Sequence, residues 1–200
     1  MTKYETRPLN WFAGLGLAIL AWPALATTTA LEKQSFLHPE QRHENIGELV
    51  TQFVQKSHYN HVAVDDALSS EVLDLYIESL DRNRMLLLQG DIEYFDSYRY
   101  ELDDIVKSKP LDPVFEMYEV YQTRMRERLE YALSLLETEP DYSIDESYQF
   151  DRSEQPWAKS SAELDEIWRK RVKNDALNLA LEEEPWEKIQ EVLTKRYKGY

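Results

Sequence analysis

The chain has 200 residues, of which 42% are hydrophobic, enough for one domain with its own core plus a targeting segment. Lys and Arg number 23 against 38 Asp and Glu, and the net charge of -15 excludes a broad basic face for a nucleic-acid backbone. With no Cys and only 5 Gly, the fold needs no disulfides, and the composition favours a mostly helical protein.

At the N-terminus Lys3 and Arg7 precede an apolar run from Trp11 to Trp22, followed by Pro23 and the small-residue pattern Ala24-Leu25-Ala26. This is the layout of a secretory signal peptide cleaved after Ala26. The competing reading is an inner-membrane anchor, but some 12 apolar residues span roughly 18 Å of helix against a hydrocarbon core of roughly 30 Å. The expected organisation is a signal peptide over 1–26, a flexible linker over 27–44 and a helical domain over 45–200.

The linker composition runs to Glu40, and Pro39 opens a helical pattern that lasts to about Ser57. In it Ile46, Leu49, Val50, Phe53 and Val54 share one face, with Glu44, Glu48, Gln52 and Lys56 on the other. His58-Tyr59-Asn60-His61 breaks this pattern. A second helix follows from Asp66, capped by Asp65 or Asp66, with Leu68, Val72, Leu75, Tyr76 and Leu80 as its apolar face. Met85-Leu86-Leu87-Leu88 is too short for a helix and is stopped by Gly90, after which Asp91 is placed to cap the next one. That helix carries Ile92, Phe95, Tyr98, Leu102 and Val106 and ends before Pro110.

Past the connector Pro110-Leu111-Asp112-Pro113 comes the longest regular segment, about 24 residues, with Phe115, Tyr118, Tyr121 or Gln122, Met125, Leu129, Ala132, Leu133 and Leu136 on one face. Residues 137–156 differ. They are acidic, bounded by Pro140 and Pro156, and alternate Tyr142, Ile144, Tyr148 and Phe150 at even positions, which predicts an extended strap over the helices. Ser160-x-x-Glu163 is a capping-box pattern opening a helix with Leu164, Ile167, Trp168, Val172 and Leu179. Pro185 starts a last helix striped by Trp186, Ile189, Val192, Leu193 and Tyr197, a seam that reads as seeking a partner at the chain's end. The fold class is therefore mostly α, an irregular domain of about six helices with a strap near 137–156.

Candidate chemistry is sparse. His58 and His61 with Asp65 and Asp66 fit no zinc signature. Glu137, Glu139, Asp141, Asp145 and Glu146 lack the ligand order of a calcium loop and read as a solvated charge run. Ser57 and His58 are sequence neighbours, which gives no triad geometry. No catalytic, cofactor-binding or metal-binding residue is assigned.

Several stretches carry a resemblance instead. They are Ser57-His58-Tyr59, Leu80-Asp81 with Met85-Leu86-Leu87, Asp91-Ile92-Glu93-Tyr94-Phe95, and Tyr131-Ala132-Leu133-Ser134-Leu135-Leu136-Glu137. Phe150-Asp151-Arg152, Gln155-Pro156-Trp157, Glu163-Leu164-Asp165 with Trp168, Pro185-Trp186 and Arg196-Tyr197-Lys198 follow in order. Together they resemble the N-terminal helical domain of the tail-specific, or carboxy-terminal processing, proteases. The resemblance implies a periplasmic serine endopeptidase that acts on proteins with apolar C-termini. In that family a PDZ domain and a protease domain with a Ser/Lys dyad follow the helical domain. These 200 residues stop before both, so no catalytic residue carries over and the chain alone is expected to be inactive. Its expected partners are the PDZ and protease domains of the parent chain, protein substrates and a periplasmic adaptor. The alternative is a stand-alone helical periplasmic binding module.

Overall fold

The computed structural model describes residues 37–57, 63–108 and 110–200. Among them the protein is mostly α, with seven helices in the order α1 (Gln41–Ser57), α2 (Asp66–Asp81), α3 (Gln89–Asp96), α4 (Leu102–Ser108), α5 (Asp112–Leu135), α6 (Ser161–Ala180) and α7 (Trp186–Lys198). The only pairing of extended chain among the described residues is an isolated parallel bridge between Leu88 and Ala158.

Two cores form around the long α5. The first gathers Ala132, Leu136, Trp168, Val172, Ala176, Ile189, Leu193 and Tyr197 from the C-terminal half of α5 and from α6 and α7. The second gathers Leu73, Ile77, Phe95, Leu102, Ile105 and Met117 from α2, α3, α4 and the start of α5. Leu86 enters the first core and Leu87 the second, because consecutive side chains of an extended segment point to opposite sides. Tyr121, half a helix along α5, packs against both.

Seven helices replace the expected six because the helix read from Asp91 to Val106 is broken. Between α3 and α4 the chain closes into short turns, Tyr98 N–H donating to Phe95 and Glu101 N–H to Tyr98. The buried Ser69 of α2 holds that break open: its hydroxyl donates to the Arg99 carbonyl at 2.8 Å and accepts from Leu102 N–H at 2.9 Å. A side chain that satisfies one backbone donor and one acceptor removes the penalty for leaving the helical ladder.

Other expectations shift in register. The face that α2 buries is Ser69, Leu73, Ile77 and Asp81, while Val72 and Leu75 are 43% and 58% exposed. Gly90 does not stop the apolar run. It lies in the first turn of α3, where an added Cβ would meet nothing within 4 Å. The α1 helix starts at Gln41, inside the stretch 27–44 read as linker. The last helix does not await a partner, since Ile189, Leu193 and Tyr197 are buried within the first core. Along the strap Tyr142 and Tyr148 turn inward, whereas Ile144 and Phe150 remain exposed.

Helix ends follow their local chemistry. Asp65 caps α2, accepting from Ala67 and Leu68 N–H at 3.1 Å each. Ser160 caps α6, accepting from Glu163 N–H at 3.3 Å, and the Glu163 carboxylate accepts from Lys159 N–H at 2.7 Å. On α3, Asp91 reaches back to accept from Leu88 N–H at 2.8 Å.

Candidate functional site

The residues that organise the molecule converge on the segment from Asp81 to Ala158, where the two cores meet. The helix α2 ends in Asp81, whose side chain is turned inward and nearly fully buried. One carboxylate oxygen accepts from Met85 N–H at 2.9 Å, and the other from Leu86 N–H at 2.8 Å and Leu87 N–H at 2.9 Å. Three backbone donors that have no strand partner are thus satisfied by one anion. Opposite, the Trp168 indole N–H donates to the Met85 carbonyl at 2.7 Å, tying α6 to the same segment. Gln89 N–H donates to the Ala158 carbonyl at 2.8 Å and completes a clasp between α2, α6 and the end of the strap.

Reaching this geometry requires a sharp reversal at Arg84, which adopts a left-handed backbone with φ of 52°. Its side chain is anchored in compensation: the guanidinium sits 5.2 Å from the Trp157 ring centroid and donates to the Gln155 carbonyl. Beside it lies a cleft of about 410 Å³ whose lining includes Glu78, Arg82, Arg84, Arg99 and Trp157. Of its charges Arg82 pairs with Glu78 at 3.6 Å, and Arg99 with Asp74 at 2.9 Å and Asp96 at 2.6 Å.

A second set of side chains fastens the strap. Glu146 accepts from Arg169 and from Lys173, the latter at 2.7 Å, and Lys173 also donates to the Ile144 carbonyl at 3.0 Å. The Arg169 and Lys173 bonds hold the Glu146 carboxyl down at about 2. In the first core Tyr197 donates to Asp175 at 2.7 Å, and burial, then that bond, pushes the phenol far above its ordinary range. On α5, Arg124 forks onto Asp91 at 2.8 and 3.0 Å, and the buried Arg128 pairs with Asp165.

The residues weighed from sequence as possible chemistry take these places. Asp65 is a helix cap. Asp141 accepts from Ser143 N–H at 2.9 Å in a local turn, and Glu146 is the strap's anchor. His58 and His61 lie outside the described residues. Among the described residues no group of three or more His, Cys, Asp or Glu is placed to hold a metal ion, and no helix is long and apolar enough to cross a membrane. What the arrangement does chemically is spend its buried charges on holding helices and an extended strap in one register. Sequence reasoning quoted Asp81 only within a stretch that carries the resemblance and gave it no structural role, and it did not single out Ser69 or Arg128. For Asp81 a signal was present, since an acid at a helix C-terminus opposes the macrodipole and so calls for donors of its own.

Comparison with known proteins accounts for this architecture. The sequence profile described as tail specific protease N-terminal domain matches residues 50–200. The curated tail-specific protease of Haemophilus influenzae is 35% identical over 180 residues, covering 88% of this chain and 26% of that protein. The chain thus spans about a quarter of the length of the relative it matches. With three quarters of its residues under the family's profile, the chain belongs to the tail-specific protease N-terminal domain family.

Proposed function

We propose that this chain is the N-terminal scaffolding part of a periplasmic tail-specific serine endopeptidase, exported by a signal peptide cleaved after Ala26. The observation that carries the reading is the match itself, which runs over nearly the whole chain yet covers only 26% of the protease it resembles. The parent would use a Ser/Lys dyad and a PDZ domain, both beyond residue 200, to degrade or process proteins with apolar C-termini. The clasp and the strap supply rigidity, the property a scaffold needs, and the chain alone is inactive. Its partners are the PDZ and protease parts, protein substrates and a periplasmic adaptor, and its net charge of -15 argues against nucleic acid.

The test is expression of the 200-residue chain with its N-terminus intact in a Gram-negative host, alongside the polypeptide that continues past Tyr200. The expected result is periplasmic material beginning at Thr27, with cleavage of a reporter bearing an apolar C-terminus by the longer polypeptide only. Hydrolysis by the 200-residue chain itself would overturn the assignment of activity to downstream parts.

A further inference from the structure

The helix α1 is used on two sides. Its inner face is fixed: Thr51 is buried, and a Cβ on Gly47 would stand 3.3 Å from the Val106 carbonyl of α4. The His43 ring lies 5.5 Å from that of Phe115 at the start of α5. Away from that contact Ile46, Leu49, Val50 and Phe53 are 56%, 65%, 53% and 63% exposed. Their spacing of three, four and seven residues makes one continuous apolar stripe. A helix with packing residues on both sides is built to be covered on both.

We propose that this stripe is the surface on which the part of the parent polypeptide beyond residue 200 docks. The proposal rests on reading the chain as the front of a longer protease. Four side chains at this exposure offer roughly 400 Å² of apolar surface, about half of what one partner contributes to a stable free complex. A second copy would also bring another net charge of -15 against the first. An anionic membrane surface would likewise meet a chain of net charge -15. A covering segment in the same polypeptide escapes these limits, because covalent linkage supplies a high effective concentration to a patch too small for free association. Such a segment has room to exist, since the matched relative extends far beyond the 26% this chain covers.

The experiment is amide hydrogen exchange of residues 46–53 in the 200-residue chain and in the parent polypeptide. Exchange is expected to be at least about tenfold slower in the parent. The double variant Leu49→Glu with Phe53→Glu should return it to the rate seen in the short chain, while Leu87 and Phe95 amides keep their protection, which reports an intact fold. Equal exchange in both lengths overturns the docking proposal. So does protection already present in the short chain, whether it rises with concentration, as for a second copy, or vanishes when residues 1–36 are deleted. An immunoblot of cells separates this failure from the other. A longer, proteolytically active polypeptide with unprotected α1 sinks the docking surface alone, whereas the absence of any product beyond 200 residues sinks the scaffold reading with it.

Discussion

Asp81 concentrates the most consequence in one side chain, because its two oxygens serve Met85, Leu86 and Leu87 at once. Replacing it by Asn leaves a single acceptor oxygen and brings an amide N–H₂ toward backbone donors. Loss of charge-assisted bonds and stranding of at least one buried N–H is expected to cost about 2–4 kcal/mol, read as a lowered midpoint in urea unfolding. A change below about 0.5 kcal/mol, the size typical of a surface substitution, would show that the three bonds are dispensable. Arg84 is its complement. Left-handed backbone is unfavourable for a residue with a Cβ, and the contacts to Trp157 and Gln155 compensate for it. At this scale the sequence was legible where chemistry is local, as at the Asp65 and Ser160 caps. It was opaque where a polar side chain bonds across the fold, as Ser69 does to residues some thirty positions away.

Among the elements, the strap is the one whose attachment depends on ionisation. The Glu146 carboxyl sits at about 2 when folded, against an ordinary value of 4.5, so its contribution is fully present above about pH 4.5 and is lost as pH falls toward 2. Acidification through that window is expected to free residues 140–150 before the helices melt, seen as early proteolytic nicking within the strap. The Glu146→Gln variant should nick equally at neutral and acidic pH; a strap that stays protected in this variant at every pH would refute the latch. Period-two alternation indicated an extended strap over the helices, but of its four marked side chains only Tyr142 and Tyr148 turn inward, while Ile144 and Phe150 stay exposed. Tyr142, Glu146 and Tyr148 face inward, and the charge at the middle position belongs to the latch. The α2 helix misled for a related reason. Its apolar residues occupy more than one face, and Ser69, a polar residue that periodicity assigns to solvent, marks the buried one. In contrast α6 and α7 carry single stripes, and their lengths and most of their core residues followed directly from spacing, whereas on α5 the length followed but, of its buried Met117, Arg128 and Ala132, spacing indicated only Ala132.

For the molecule as a whole, two cores joined through Leu86, Leu87 and Tyr121 should behave as one cooperative unit. Amides of Leu73 in the second core and Leu193 in the first are expected to exchange with the same opening free energy, and clearly separate values would show that the cores unfold independently. The unpaired seam that sequence reading placed at α7 belongs at the other end, on α1. Periodicity reveals that a stripe exists but not which neighbour already covers it. The alternation of the two leucines also governs how the gene can drift. Between Asp81 and Leu88 the chain tolerates substitution better than any change of length, because one residue inserted or removed would send each leucine into the wrong core and pull the clasp's donors off their acceptor. Between Glu137 and Gln155, where pinning is by a few side chains, residues can be gained or lost with little effect on either core. Relatives of this domain should therefore vary in length along the strap and keep a constant count through the clasp.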